Sequence, residues 1–146
     1  MTATGMVLAS PSGVMVKNPA AAVSGMILVA DADADAAQLL AQHLSRQGLQ
    51  VVHTSSGEAV LSLARSSRLR LAIVDVSLQD MSGHGLASRL REIDSTIPVL
   101  MTSADHRPET EVRARQAGII YFAHKPADCD LIEAVVTKAL SESESP

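Results

Sequence analysis

The sequence is almost free of aromatic residues: its 146 positions include no Trp, one Tyr and one Phe. Proteins that bind single-stranded nucleic acid stack bases on aromatic side chains, so this scarcity argues against that class. Twelve basic and sixteen acidic residues give a net charge of −4. Because a protein that binds duplex DNA usually carries a basic stripe, we expect no nucleic-acid partner.

Cysteine and long apolar runs are also scarce. The single cysteine, Cys129, excludes an internal disulfide and a thiolate zinc cluster, and it favours a reducing compartment. No run approaches the roughly 20 apolar residues that span a bilayer. The first 24 residues lack the basic start and the apolar centre of a secretory signal. We therefore expect a cytoplasmic protein with no membrane partner.

What the sequence does contain is a regular alternation of two kinds of segment. Short apolar runs, as expected for strands buried on both faces, lie at 26–30, 50–53, 71–74, 99–101 and 119–122. Segments with helical periodicity follow these runs, at 35–47, from 55, at 82–92, at 108–117 and from 130. Strands that alternate with helices indicate a parallel sheet covered on both faces, so the sequence predicts a doubly wound α/β fold.

The predicted domain occupies most of the chain, at 26–140. Residues 1–25 contain Gly, Pro and Ser without a period, and we interpret them as a flexible or loosely docked N-terminal arm. Residues 141–146 are expected to form a disordered tail. Within the domain, Ser55 and Glu58 have the spacing of a capping box, so Ser55 is the predicted N-cap of the second helix.

Polar side chains follow four of the predicted strands. Asp31 and Asp33 come after the first strand, Asp75 after the third, Ser103 after the fourth and Lys125 after the fifth. The binding crevice of a doubly wound sheet lies at the carboxyl ends of its strands. The pattern therefore predicts a site that combines carboxylates from two strands with a hydroxyl and an ammonium group.

Four sequence blocks resemble the receiver domain of response regulators in two-component signalling. They are ILVAD at 27–31, LAIVD at 71–75, PVLMTSA at 98–104 and HKP at 124–126. The blocks occur in the family's order with its spacing, and the resemblance covers about residues 26–140. It implies a flavodoxin-like (βα)5 fold whose five parallel strands lie in the order 2-1-3-4-5.

The resemblance also implies a role for each polar residue at the strand ends. Asp75 corresponds to the phosphoacceptor carboxylate, and Lys125 to the cation that neutralises the phosphoryl oxygens. Ser103 corresponds to the hydroxyl that moves to the phosphoryl group, and Phe122 to the switch aromatic whose burial follows it. The peptide bond between Lys125 and Pro126 is expected to be cis, as in the family.

The expected metal site departs from the family's pattern. The resemblance implies Mg²⁺ held by Asp31, Asp75 and the backbone carbonyl of Ser77, with a second acid directly after Asp31. That position is Ala32, so we expect the affinity for Mg²⁺ to be weakened or lost. Asp33 is placed either to compensate, since residues two apart on an extended chain point the same way, or to cap the first helix.

The histidines and the cysteine indicate no further site. His43, His53, His84, His106 and His124 show no pair at helical metal-ligand spacing, so none is expected to bind a metal. Cys129 lies between Asp128 and Asp130, whose charges discourage a thiolate, and we interpret it as structural.

The first functional hypothesis is a stand-alone receiver in a phosphorelay. It accepts a phosphoryl group on Asp75 from a histidine kinase or phosphotransfer protein and signals by contact with a downstream protein. The contact face is formed by the fourth helix, fifth strand and fifth helix, where a homodimer is also expected. Enzymatic activity is limited to autophosphorylation and autodephosphorylation of Asp75.

Two alternatives stay open. The first is a pseudo-receiver, an interaction module on the same fold that works without phosphorylation. The second is a small phosphatase-like hydrolase with Asp75 as its nucleophile, although Ser77 stands where such an enzyme has its second catalytic acid.

Overall fold

The structure, a computed structural model, describes residues 7–9, 15–17 and 25–143. From residue 26 onwards strands and helices alternate. The strands are β1 (Val7–Ala9), β2 (Met15–Lys17), β3 (Met26–Ala30), β4 (Val51–Thr54), β5 (Leu69–Asp75), β6 (Val99–Ser103) and β7 (Tyr121–His124). The helices are α1 (Ala34–Ser45), α2 (Gly57–Ser66), α3 (Gly83–Ile93), α4 (Pro108–Gln116) and α5 (Cys129–Ser143). None of these helices is long and apolar enough to cross a membrane.

All seven strands form one sheet in the order β1-β2-β4-β3-β5-β6-β7. The five strands from β3 to β7 pair in parallel, with β3 between β4 and β5. When these five strands are numbered along the chain, their order across the sheet is 2-1-3-4-5, which confirms the predicted doubly wound, flavodoxin-like fold. The carboxyl ends of β3, β5, β6 and β7 therefore meet at one edge.

Two short strands lie within the predicted N-terminal arm, where the sequence predicts none. β1 pairs antiparallel with β2, and β2 pairs antiparallel with β4, so the two strands extend the sheet beyond the parallel part. The other residues of 1–24 and the last three residues of the predicted tail lie outside the described ranges. The boundaries proposed for the arm and the tail stay predictions.

The core lies on both faces of the sheet. Every residue of β3 is buried because neighbouring residues of a strand face opposite sides, and helices cover both sides here. Leu28 packs with the apolar residues of α2, α3 and α4, while Ile27 packs with those of α1 and α5. This double cover explains why the strands appear in the sequence as unbroken apolar runs.

The N-terminus of α2 differs from the predicted capping box. Ser56 is the N-cap, and its hydroxyl oxygen accepts a hydrogen bond from a backbone N–H of the first turn. The residue three positions after Ser56 is Ala59, whose side chain has no acceptor, and the backbone N–H of Ser56 donates to the Thr54 hydroxyl instead. Ser55 instead donates its hydroxyl hydrogen to a residue of the loop after β5. The prediction of Ser55 as the cap is therefore wrong.

The start of α5 also differs from the predicted one. Asp128 Oδ1 accepts hydrogen bonds from the backbone N–H groups of Asp130 and Leu131, at 3.0 and 3.2 Å. Asp128 thus satisfies the free N–H groups of the first turn, and the helix begins at Cys129 instead of Asp130. The carboxylate of Asp130 is therefore not used as the cap.

Candidate functional site

The site is built at the edge where the carboxyl ends of the parallel strands meet. Asp31 directly follows β3, Asp75 is the last residue of β5, Ser103 is the last residue of β6, and Lys125 directly follows β7. Together with Ser77 these side chains line one cavity of about 450 Å³. The structure therefore brings together the predicted acids, hydroxyl and ammonium group.

A three-way ion pair organises the floor of this cavity. The Lys125 Nζ atom lies 2.7 Å from Asp31 Oδ2 and also contacts Asp75 Oδ2. Both carboxyl groups are buried, with Asp31 7% and Asp75 6% exposed. Burial alone would lower the pKa of Lys125, but its hydrogen bonds to Asp31 and Asp75 and their charges outweigh burial, so its pKa is raised. Lys125 therefore stays charged.

The remaining carboxylate oxygens accept backbone hydrogen bonds. Asp31 Oδ1 accepts from the N–H of Asp33 at 2.9 Å, and Asp75 Oδ1 accepts from the N–H of Ser77 at 2.8 Å. Burial, together with the nearby charge of Asp75, raises the pKa of Asp31, although the hydrogen bonds from Lys125 and Asp33 oppose this. One ammonium facing two carboxylates leaves a site that favours a further cation.

Asp33 has the second of the two roles that the sequence left open for it. It is the N-cap of α1, and its Oδ1 atom accepts hydrogen bonds from the N–H groups of Asp35 and Ala36, at 3.1 and 3.2 Å. A carboxylate held in this way satisfies the first turn of the helix. Ala32, the neighbouring residue, is exposed and offers no side-chain oxygen.

The donor set still fits Mg²⁺, with one carboxylate fewer than the family's usual pattern. Asp31, Asp75 and the Ser77 carbonyl would supply oxygen ligands, and Mg²⁺ is commonly held by one or two carboxylates with water completing its octahedron. Receiver domains generally bind Mg²⁺ at this acidic site. When bound, the ion supplies positive charge to the oxygens of a phosphoryl group.

Ser103 lies in the cavity wall with its hydroxyl turned towards its own loop. Its Oγ atom accepts a hydrogen bond from the Asp105 N–H at 2.9 Å and donates to the Asp105 carbonyl oxygen at 3.1 Å. Phe122 is buried on the neighbouring strand, 7% exposed. The Phe122 ring meets His124 edge-on at 5.3 Å, and His124 meets His106 at 4.6 Å. The rings thus connect the predicted switch aromatic to the loop after β6.

Two further residues support this site, although the sequence patterns did not mark either of them as functional. Gly83 lies against the backbone of Asp75, so closely that a Cβ there would be 2.2 Å from the Asp75 carbonyl oxygen. Asp105 lines the same cavity, and its carboxylate accepts hydrogen bonds from Arg107 and Thr110 that hold its pKa well below the usual range. The sequence signal that could have marked Gly83 is the Met-Ser-Gly segment at 81–83, which follows the third predicted strand.

The Lys125-Pro126 peptide bond is cis, as the resemblance implied. It lies between β7 and α5, so the loop that carries Lys125 also leads into the last helix.

The fold and the site together define a receiver domain, and comparison with known proteins agrees. The sequence profile of the response regulator receiver domain matches residues 27–137, and the chain belongs to this family. The transcriptional regulatory protein ZraR of Escherichia coli K12 is 31% identical over 119 residues, which are 82% of this chain and 27% of that protein. The chain thus spans about a quarter of the length of the curated relatives it matches.

Solved structures show the same relationship. The receiver domain of NtrX from Brucella abortus is 29% identical, with a TM-score of 0.74 over 79% of this chain and 98% of that one. A response regulator protein from Burkholderia pseudomallei, solved with a phosphorylated aspartic acid, is 27% identical, with a TM-score of 0.72 over 82% of this chain and 71% of that one. Receiver domains interact with histidine kinases or phosphotransfer proteins in phosphorelay signalling.

Proposed function

We propose that Asp75 accepts a phosphoryl group from a histidine kinase or phosphotransfer protein, and that the chain passes the signal on by contact with another protein. The observation that carries the proposal is the buried Asp75 carboxylate, which ends the β5 strand in contact with Lys125 and beside Asp31. Lys125 holds this carboxylate in place, and Asp75 still lines the cavity that a phosphoryl donor would enter.

Transfer to Asp75 requires little covalent chemistry from the rest of the site. A carboxylate oxygen of Asp75 forms a bond to phosphorus as the bond between phosphorus and the donor's imidazole nitrogen breaks, and that nitrogen keeps the electron pair. Negative charge is spread over the three equatorial oxygens during the transfer, so catalysis rests on positioning and on charge neutralisation. Lys125 supplies a positive charge that is already held within hydrogen-bond distance of both carboxylates.

The conformational response involves Ser103 and the loop after β6. In this structure the Ser103 hydroxyl is engaged by Asp105, so a bond to the phosphoryl oxygens requires it to leave that loop. The change reaches Phe122 and the face formed by α4, β7 and α5. Val112 and Ile120 are exposed near that face, at 54% and 48%, and it is the proposed surface for a downstream protein or a second copy.

A second candidate function rests on one observation, the missing acid at Ala32. Because Asp33 caps α1, the lost carboxylate is not replaced by its neighbour. A pseudo-receiver would keep the fold and the contact face and would work without phosphorylation at Asp75.

One labelling experiment separates the two candidates. We expect wild-type protein incubated with acetyl phosphate and Mg²⁺ to gain one phosphoryl mass, and the Asp75→Asn variant to gain none. Absence of the adduct on wild type over a broad range of Mg²⁺ concentrations would overturn the phosphoreceiver proposal and favour the pseudo-receiver.

The Ala32→Asp variant tests the argument about the metal site. A carboxylate at position 32 would give Mg²⁺ a third acidic ligand, so we expect tighter Mg²⁺ binding and labelling at lower Mg²⁺ concentration. The Ala32→Asn variant, which matches the size without the charge, is the control. Equal Mg²⁺ affinity in wild type and Ala32→Asp would mean that the second acid does not limit this site.

A further inference from the structure

A second group of metal-ligating side chains lies away from the phosphoryl site, between α1 and α5. His43 on α1 has its Nε2 atom 2.6 Å from Glu133 Oε1 and 3.2 Å from Asp130 Oδ1. One ligand atom from each of the three residues lies within 4.8 Å of the others. We name His43, Asp130 and Glu133 the α1–α5 cluster. No sequence pattern indicates it, because His43 is far along the chain from both acids.

The distances in the α1–α5 cluster suit ligands of a single ion. Zn²⁺ binds nitrogen and oxygen at about 2.0–2.1 Å, which puts neighbouring ligand atoms about 2.9 to 3.4 Å apart, depending on the coordination geometry. Of the two separations from His43 Nε2, that of 3.2 Å to Asp130 lies within this range, and that of 2.6 Å to Glu133 lies about 0.3 Å below it. The Nε2 atom is shielded from solvent, and it lacks a well-oriented hydrogen bond despite the nearby oxygens. The two carboxylates therefore lie within ion-pair distance of His43 Nε2, yet this atom has no hydrogen bond.

The helices hold the ligands in place before any ion binds. Asp130 and Glu133 are three residues apart on α5 and so lie on the same side of that helix. Asp128 caps the helix, which leaves the Asp130 carboxylate for another role. The side chains of His43 and Glu133 are 23% and 24% exposed, while that of Asp130 is 89% exposed. Two ligands are thus fixed, and the third stands open to solvent, where an ion can enter.

We propose that the α1–α5 cluster is a binding site for a divalent transition-metal ion of the Zn²⁺ type. One imidazole and two carboxylates make three protein ligands, and water completes the coordination. Imidazole suits Zn²⁺, Ni²⁺ and Cu²⁺ but not Mg²⁺, so this site differs in preference from the all-oxygen site at Asp75. A bound ion ties α1 to the first turn of α5, which begins four residues after Lys125.

The test is a titration of the full chain with Zn²⁺ alone, measured by isothermal calorimetry. We expect one Zn²⁺ per chain, and a loss of affinity of about tenfold or more in both His43→Gln and Glu133→Gln, since even groups outside the coordination shell change affinity by that much. Asp130→Asn, at a position too exposed to disturb folding, is expected to weaken binding too. Circular dichroism of each variant checks that the fold is kept.

Three control variants identify where the ion binds. Asp75→Asn disables the phosphoryl site, Cys129→Ser removes the thiol next to Asp130, and His84→Gln removes a histidine on α3; all three are expected to bind Zn²⁺ like wild type. A second readout is the ring resonance of His43 in the NMR spectrum, which should shift on addition of Zn²⁺ but not of Mg²⁺. Zn²⁺ affinity that survives in folded Asp130→Asn and His43→Gln, or that is lost in any of the three control variants, would overturn the proposal.

Discussion

Replacement of Gly83 by alanine is expected to damage both the stability of the domain and the phosphoacceptor. Gly83 is the first residue of α3, and its N–H donates to the Val76 carbonyl oxygen at 2.6 Å. A Cβ at this position would lie 2.2 Å from the carbonyl oxygen of Asp75 and 2.9 Å from the Val76 Cα atom. The neighbouring atoms belong to the backbone, so no side chain can rotate away to make room.

The size of the effect follows from these distances. Ordinary van der Waals contact of a Cβ begins at 3.4 Å, so α3 and the end of β5 must separate by about 1.2 Å. Overpacking of this kind costs about 1–3 kcal/mol, and a purely backbone clash belongs at the upper end. A displacement of about 1 Å at a reacting group can slow a reaction about 100-fold. We therefore expect Gly83→Ala to lose about 3 kcal/mol of unfolding free energy and to label at Asp75 far more slowly.

Gly85→Ala is the matched control on the same helix. A Cβ at Gly85 meets only the Ser82 hydroxyl oxygen, at 3.3 Å, so the shift required is a few tenths of an ångström at one side-chain atom. Urea unfolding followed by circular dichroism gives the free energy of unfolding, and acetyl phosphate labelling gives the rate at Asp75. The reasoning is refuted if Gly83→Ala unfolds within about 0.5 kcal/mol of wild type and labels at a similar rate.

Three further predictions concern the helix cap and the acids. Ser56→Ala is expected to lose about 1 kcal/mol of unfolding free energy, and Ser55→Ala clearly less, because only the first removes an N-cap. Asp80→Ala is expected to lose about 1 kcal/mol at pH 7, since its carboxylate accepts hydrogen bonds at the start of α2. Burial alone would raise the pKa of Asp80, but these hydrogen bonds outweigh burial and lower the pKa below 3.8. The Asp80 carboxylate therefore stabilises the fold above pH 3.8, and this stabilisation is lost as the pH falls through the lowered pKa. Asp31→Asn is expected to be more stable than wild type at pH 7, because burial raises the Asp31 pKa above 3.8.

The sign of the Asp31 prediction can be checked by its pH dependence. A raised pKa in the folded state means that the stabilising proton is fully bound below pH 3.8 and is lost as pH rises through the folded value. Urea unfolding of wild type and Asp31→Asn should therefore converge below pH 3.8 and diverge at neutral pH. The opposite trend would mean that the ion pair with Lys125 outweighs burial.

For the α2 cap, equal losses of unfolding free energy in Ser55→Ala and Ser56→Ala would contradict the assignment of Ser56 as the cap.

Local patterns in the sequence predicted the sheet and the position of the site. The apolar run at 26–30 became β3 with the predicted bounds, because a strand buried on both faces must be apolar throughout. The strand pattern alone placed Asp31, Asp75 and Lys125 together, since polar residues that end parallel strands meet at one edge. Their distances and shared ion pair depend on the register of those strands, which no local pattern specifies.

The path and packing of the chain decided the rest. Asp33 had two reasonable roles until the path of the chain into α1 assigned its carboxylate to the cap. Ser56 is the N-cap of α2, and its hydroxyl also donates to Asp80, a residue 24 positions further along the chain. The closeness of Gly83 to Asp75 and the meeting of His43 with α5 follow from packing, not from any local period. Sequence alone determined which polar residues lie at or just after the strand ends. Tertiary structure decided how they meet, because Lys125 reaches Asp31 and Asp75 from a distant part of the chain.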